Sequence, residues 1–505
     1  MTRTRLLALA IISLAACGGA QKTAPAVPSP LVTPPSKAAD AAPMELAFPD
    51  EPFRAQAPAP SDVRPFSNPV IQQFTLKNGI HVYLVERHQL PVVSMELTFE
   101  GGSINDPKGK EGLAATCMSL LSEGTEKLPK IEFREALGDL ASTVTSYASM
   151  DQQGVAMSTL AEHLDATLDL FGDTLLSPGM RQEELDRMIK SRLAALEQMK
   201  GSPAAVAARL AGSIVWGPDH PYGRFHTEAS TKAVTLAHCK KYVAAYVRPH
   251  GAKLFVFGDV SRAQIEEKVG ARLSAFSGKP KRSARAGKAA PRKRAVWFVD
   301  KPGAQQSIVS IMHTGPARAA ADYFETWIMG TILGGGFSSR INMNIREKNG
   351  YAYGARGGFS YNRTGSTFSA GGSIRNDATR EAIGEIIKEV ASLRDGPPTA
   401  DEMTREKDGA ILGLPAQWAT GASILSTFQN LVYYGLPLDY YEKFIPNIQG
   451  VTEARVQSAA KKHLRPEKAQ ILVVGDAATV LPEVKELGKP IVMLDLDGKI
   501  LPTKK

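Results

Sequence analysis

Two polar side chains in the second half of the chain have the chemistry to act together. In "LGGGFSSRINMNIREKNGYAYG" (residues 333–354), Arg346 offers a guanidinium and Tyr353 a phenolic hydroxyl seven positions later. Both are hydrogen-bond donors of the kind that can hold a carbonyl or carboxylate oxygen. Gly334, Gly335 and Gly336 precede them and allow backbone to approach backbone. Metal chemistry has no comparable local footing. The nine histidines are His81, His88, His163, His220, His226, His238, His250, His313 and His463, and no two lie three to five positions apart. No helical pair of metal ligands is therefore available.

The elements that must carry these residues are indicated by an internal repeat. "VTLAHCKKYVAAYVRPHGAKLFVFGD" from Val234 and "VTEARVQSAAKKHLRPEKAQILVVGD" from Val451 share nine of 26 positions without a gap, at an offset of 217. A period of that length means duplicated domains and not a solenoid. Each copy reads as a helix ending near Arg-Pro, followed by a buried strand. Asn78-Gly79 predicts a two-residue hairpin near the start of the first half. Strands at the ends with helices between them give an α+β fold of two homologous domains, each a mostly antiparallel sheet packed with helices. The boundaries fall at 66–278 and 295–500, with a basic interdomain linker at 279–294, which reads as solvated and flexible.

The arrangement over residues 66–500 resembles the pitrilysin/insulinase family of zinc metallopeptidases, which includes the mitochondrial processing peptidase. Active members carry an inverted His-x-x-Glu-His motif, whose i and i+4 histidines share one zinc on one helix face. In "GLAATCMSLLSEGT", Gly112, Gly124 and Thr125 fit the frame around that motif, and the three chemical positions fall on Ala115, Met118 and Ser119. The third ligand, a Glu in a following helix, falls on Ala194, with Glu197 three residues beyond as a weak substitute. Neither Ala nor Met can do this work, and Ser is a poor zinc ligand. The stretch containing Gly334 to Gly336, Arg346 and Tyr353 matches the family's carboxy-terminal signature, in which Arg and Tyr bind substrate backbone near the scissile carbonyl. His220 matches a family stretch of structural character. The resemblance thus implies a degenerate metal site, no metal held by this chain, and a retained substrate-binding pair.

The amino terminus points to the cell envelope. "MTRTRLLALAIISLAAC" has two arginines, an apolar run and small residues before Cys17, a signal peptide over residues 1–17. "LAAC" resembles a bacterial lipobox, which makes Cys17 the lipidated residue, and Gly18 after it fits outer-membrane sorting. Residues 18–65 carry eleven prolines and read as an extended tether reaching on the order of 100 Å. Cys117 and Cys239 are expected to be buried free thiols, although one bridge between them is compatible with the sequence. The net charge of +9 falls to +1 without the eight basic residues of 279–294, so no nucleic-acid-binding face is indicated.

The expected function is therefore a non-catalytic, substrate-clamping subunit of a heterodimeric zinc endopeptidase acting on extended peptides. Its partner would be a zinc-bearing family member, and its location a lipid anchor on the outer membrane, facing the periplasm of a Gram-negative bacterium. Peptidase activity is expected only with that partner. The alternative is an enzymatically silent scaffold or peptide-binding lipoprotein of the same fold. A third reading, an enzyme with a metal site assembled from distant segments, predicts stoichiometric zinc in the isolated chain.

Overall fold

The structure, a computed structural model, describes residues 69–290 and 292–502. The signal peptide, Cys17 and the tether lie outside the described residues. Two six-stranded sheets are each drawn from one half of the chain. The first contains β1 (Gln72–Thr75), β2 (His81–Glu86), β3 (Val92–Glu100), β4 (Thr143–Ala148), β5 (Gln152–Leu160) and β6 (Lys253–Gly258), in the order β1-β2-β6-β3-β5-β4. The second contains β7 (Val296–Asp300), β8 (Gln306–Gly315), β9 (Ala352–Tyr361), β10 (Ser366–Arg375), β11 (Gln470–Gly475) and β12 (Ile491–Leu494), in the order β12-β7-β11-β8-β10-β9. Both are mostly antiparallel, with the parallel pairs β2–β6, β7–β11 and β7–β12. β6 and β11, the strands of the repeat, occupy matching interior places and are almost wholly buried.

The helices used below are α1 (Leu113–Leu121), α2 (Gln182–Lys200), α3 (Pro203–Trp216), α4 (Leu236–Tyr246), α5 (Tyr323–Gly334), α6 (Gly421–Tyr434) and α7 (Glu453–His463). The two halves exchange a helix. α3 begins with the Ser202 hydroxyl accepting from the Ala205 amide and with Pro203 in its first turn, where a missing N–H costs nothing. Its buried stripe of Val206, Ala207, Leu210 and Ile214 follows the helical period. That stripe packs on β8 and β11 of the other half's sheet, against Met312, Leu472 and Val474. Reciprocally, α6 lays Ile424, Phe428 and Leu431 into a cluster that includes Val85 and Phe255 of the first sheet.

Two local expectations change. Asn78-Gly79 does sit at a hairpin tip, with Gly79 at φ 89°. The loop nevertheless spans residues 76–80, closed by the Leu76 amide donating to the Ile80 carbonyl at 2.9 Å. The basic linker leaves most of its side chains in solvent, but its backbone is tied down and not free. The Lys281 amide donates to the Ala245 carbonyl at 2.7 Å. The Ala284 amide donates to Asn105 Oδ1 at 2.9 Å, and Ala286 is buried. Small residues between the cations let the backbone lie close to the surface it crosses.

Candidate functional site

The positions that would hold a metal lie on α1 and α2. Gly112 precedes α1 at φ 94°, a left-handed conformation that favours glycine. Asp106 caps the helix, its two carboxylate oxygens accepting from the Gly112 and Ala114 amides, each at 2.8 Å. Burial pushes the Asp106 carboxyl up to about 7, against the pull of those two amides and of Arg224. Along α1, Ala115 and Ser119 are half-buried, whereas Met118 is fully buried within the first half's core. The Ser119 hydroxyl donates back to the Ala115 carbonyl at 2.7 Å, as helical Ser commonly does. Ala194 is exposed on α2, and Glu197 is ion-paired with Lys200 at 2.9 Å.

The surroundings are as unsuited to a cation as the positions themselves. His226 packs its Cβ against Gly112, and its pKa is lowered by burial and by the nearby charges of Arg192 and Arg209. Arg192, two residues before Ala194, is itself pushed down by burial. No group of three or more His, Cys, Asp or Glu with metal-binding geometry occurs among the described residues. With Ala, Met, Ser and Ala in the ligand and base positions, and Arg192 nearby, the donor set does not fit zinc. Sequence reasoning missed the Arg192–His226 contribution, because neither residue belongs to the motif frame.

α1 is also fastened on two sides. On one, the Ser146 hydroxyl of β4, the outermost strand of its sheet, donates to the Met118 carbonyl at 2.5 Å and lies 2.8 Å from the Ser122 hydroxyl. On the other, Cys117 is disulfide-bonded to Cys239 of α4. This corrects the expectation of free thiols. α1 and α4 pack side by side and bring the two Cα atoms to 4.7 Å, within bonding range for cystine.

The second constellation is built on β9, the outermost strand of the other sheet. α5 ends at Gly334, which bridges to Gly357 of β9. A Cβ on Gly334 would lie 1.9 Å from the Gly357 nitrogen, so no larger residue fits there without moving the chain. A Cβ on Gly335 would lie 2.7 Å from Thr331 Cα, whereas Gly336 faces open space. The chain then turns into a helical segment, Arg340–Lys348, whose second part is wound as a π-helix. Arg340 anchors this segment through a two-pronged pair with Glu402, both contacts at 2.7 Å. Asn342 ties it to both neighbours, donating to the Phe337 carbonyl at 2.7 Å and accepting from the Ala355 amide at 3.2 Å.

That frame brings Arg346 and Tyr353 together. The Arg346 guanidinium carbon lies 4.8 Å from the Tyr353 ring centre and 4.9 Å from the Phe337 ring centre, a cation between two aromatic faces. Its Nε pairs with Glu347 at 3.1 Å, and its terminal nitrogens make no hydrogen bond among the described residues. Tyr353 does not pack into the sheet. It is 87% exposed, and Phe337, also against Arg346, is 58% exposed. Two exposed aromatic rings thus flank one cation at this edge of the sheet. Among the described residues no hydrogen bond, ion pair or ring contact joins this constellation to α1. His220 stays structural, stacked on Trp216 and bonded to the Gly287 carbonyl at 3.0 Å.

Residues 233–410 match the family described as "Peptidase M16 inactive domain", and residues 81–216 match "Insulinase (Peptidase family M16)". The chain is 23% identical to the "Non-peptidase homolog YmxG" of Helicobacter pylori, over 76% of this chain and 89% of that protein. It is 24% identical to the "Zinc protease PqqE" of the same organism, over 67% of this chain and 78% of that protein. A solved structure described as a peptidase M16 inactive domain from Pseudomonas fluorescens superposes with a TM-score of 0.74 at 25% identity. It covers 81% of this chain and 98% of its own.

Proposed function

Because the chain belongs to the insulinase (M16) family of peptidases, we propose that it is the substrate-clamping, metal-free subunit of a two-chain zinc endopeptidase. An inactive, M16-like subunit is what the match to the inactive domain and the similarity to a non-peptidase homologue support. One observation carries the finer reading. Exposed Tyr353, on the edge strand β9, is stacked against half-buried Arg346 of the preceding helical segment, in a chain whose metal positions are Ala115, Met118, Ser119 and Ala194. Donors so placed can hydrogen-bond the backbone of a peptide laid beside β9 as an added strand, which selects extended substrates. The zinc would come from a partner of the same family. One organism has both a non-peptidase homologue and a zinc protease similar to this chain, which supports such a pairing.

The setting we propose is the cell envelope, with Cys17 as the lipid anchor on an outer membrane. The Cys117–Cys239 bridge supports an oxidising compartment. The alternative use of the same surface, peptide binding without cleavage, is supported by the similarity to a non-peptidase homologue.

The test is to co-purify the chain with a family member that carries the full zinc motif and to assay cleavage of a quenched extended peptide. Tyr353→Phe is expected to lower kcat by about 10²–10³ with little change in KM, as for the loss of an oxyanion donor. Unchanged kcat would reduce Tyr353 to surface decoration. Stoichiometric zinc in the isolated chain would overturn the whole reading.

A further inference from the structure

The basic tract between the two halves closes two cavities, and the internal repeat relates them. The first, of about 310 Å³, lies where Phe99 and Glu100 at the end of β3 and Arg248 after α4 meet Lys281, Arg282 and Arg285 of the tract. The second, of about 240 Å³, lies where His313 and Thr314 at the end of β8 and Arg465 after α7 meet Arg292 of the tract. Arg248 and Arg465 are the arginines of the repeat's Arg-Pro, 217 positions apart. Thr98 pairs with Lys253 in one sheet as Met312 pairs with Gln470 in the other, which puts Phe99 and His313 at equivalent places. The duplicated unit makes the same pocket twice, and one linker roofs both.

Charge singles out the first cavity. Arg248, Lys281, Arg282 and Arg285 converge on it, and none of them has an ion-pair partner among the described residues. Glu100, the one carboxylate on its lining, lies 3.6 Å from Arg363. These cations are not on a loose tail. Besides the Lys281 and Ala284 amide bonds, the Ser283 hydroxyl donates to the Glu100 carbonyl at 3.1 Å and accepts from Asn105 Nδ2 at 3.2 Å. Like charges held at fixed places around one hollow repel each other unless an anion sits among them. Guanidinium forks match phosphate oxygens two at a time. A hollow of this size is at the small end of ligand pockets, which run from about 300 to 1,000 Å³.

We infer that the cavity under residues 280–285 binds a phosphate-bearing ligand, a phosphomonoester or a diphosphate, either free or as a lipid headgroup. This site is separate from the Arg346–Tyr353 surface and does not depend on the peptidase reading. Calorimetric titration of the purified full-length chain with inorganic pyrophosphate is expected to show saturable one-to-one binding. The double variant Arg282→Gln/Arg285→Gln is expected to weaken it by about tenfold or more, as two charged contacts are lost. Lys279→Gln/Lys288→Gln removes two charges from the same tract outside the cavity. It is expected to change binding by less than about twofold, the scale of screened surface charge. All four side chains are exposed, so folding is kept in both variants.

Sedimentation with phosphatidylcholine vesicles, with and without phosphatidic acid, separates the two sources. Extra binding to the acidic vesicles that pyrophosphate displaces assigns a lipid headgroup. Pyrophosphate binding with no difference between the vesicles assigns a soluble ligand. Absence of saturable binding, equal loss in the two double variants, or capture of an acidic peptide in preference to pyrophosphate would overturn the inference.

Discussion

Removing the bridge between Cys117 and Cys239 is a perturbation whose size follows from the fold. The bridge closes a loop of 122 residues. Loop-closure entropy for that length gives about 5 kcal/mol at 25 °C, and measured losses for native bridges run from about 2 to 5 kcal/mol. Both sulfurs sit in fully buried side chains, so replacement also removes packing from the first half's core. α1 has only nine residues, too few to hold its shape alone. It depends on α4 through the bridge, on β4 through Ser146, and on the Asp106 cap. Cys117→Ala/Cys239→Ala is therefore expected to lose about 2–5 kcal/mol in denaturant unfolding followed by circular dichroism. Hydrogen exchange should rise first over α1 and β4 while β11, wholly buried, stays protected. Alkylation of the denatured, unreduced chain should label neither cysteine. Two labelled thiols, or a midpoint that a reductant leaves unmoved, would refute the reasoning.

Three further outcomes are expected. Met118→Glu, the change that would restore a general base, puts an unpaired carboxylate at a position with no exposed area. It should cost about 3–5 kcal/mol in the same unfolding assay, and wild-type stability would show that position 118 opens to solvent. Burial holds His313 down at about 4, from an ordinary 6.5; its Nδ1 lies 2.9 Å from the Thr314 carbonyl and its Nε2 accepts from the Arg465 amide. Neutral His313 therefore supports the fold above pH 6.5, and its contribution of about 3 kcal/mol should fade as pH falls from 6.5 through 4. Asp106, raised to about 7, runs the opposite way, so the loss is read as the difference between wild type and His313→Gln. Gly334→Ala drives a methyl into the Gly357 nitrogen and should destabilise by about 1–3 kcal/mol, with weaker peptide binding at β9, measured by fluorescence titration.

The repeat made part of this fold readable. Val-Thr, Arg-Pro and Gly-Asp recur because each copy needs the same cap, the same helix stop and the same end of a buried strand, and β6 and β11 lie where that predicts. Arg346 and Tyr353 were legible through the family signature, and the structure sets them side by side because the helical segment runs straight into β9. What escaped was long-range. Nothing in the periodicity of Val206, Leu210 and Ile214 says that they face the other half's sheet and not their own. The bridge depended on α1 and α4 lying side by side, although 122 residues separate the cysteines. The linker's composition suggested solvent, but its backbone bonds to Ala245 and Asn105 could not be seen in a run of charges. Met118 read as a lost base, and its additional role as a core side chain came from the packing of α1.

The exchange of α3 and α6 bears on whether the two halves can part. Val206, Leu210, Ile214, Val215 and Trp216 are all at most 5% exposed. Exposing five such side chains costs about 7–15 kcal/mol at 1.5–3 kcal/mol each, as much as the entire stability of an ordinary domain. The cost of withdrawing α6 from β6 adds to it. The two halves of this chain therefore hold together as one body, with no hinge between them that opens at ordinary temperature. A peptide added beside β9 would have its other face open to solvent unless a second molecule covered it. On the proposed reading, opening and closing belong to the interface between two chains. This chain then contributes a rigid wall with donors on it, and the metal and the motion come from pairing.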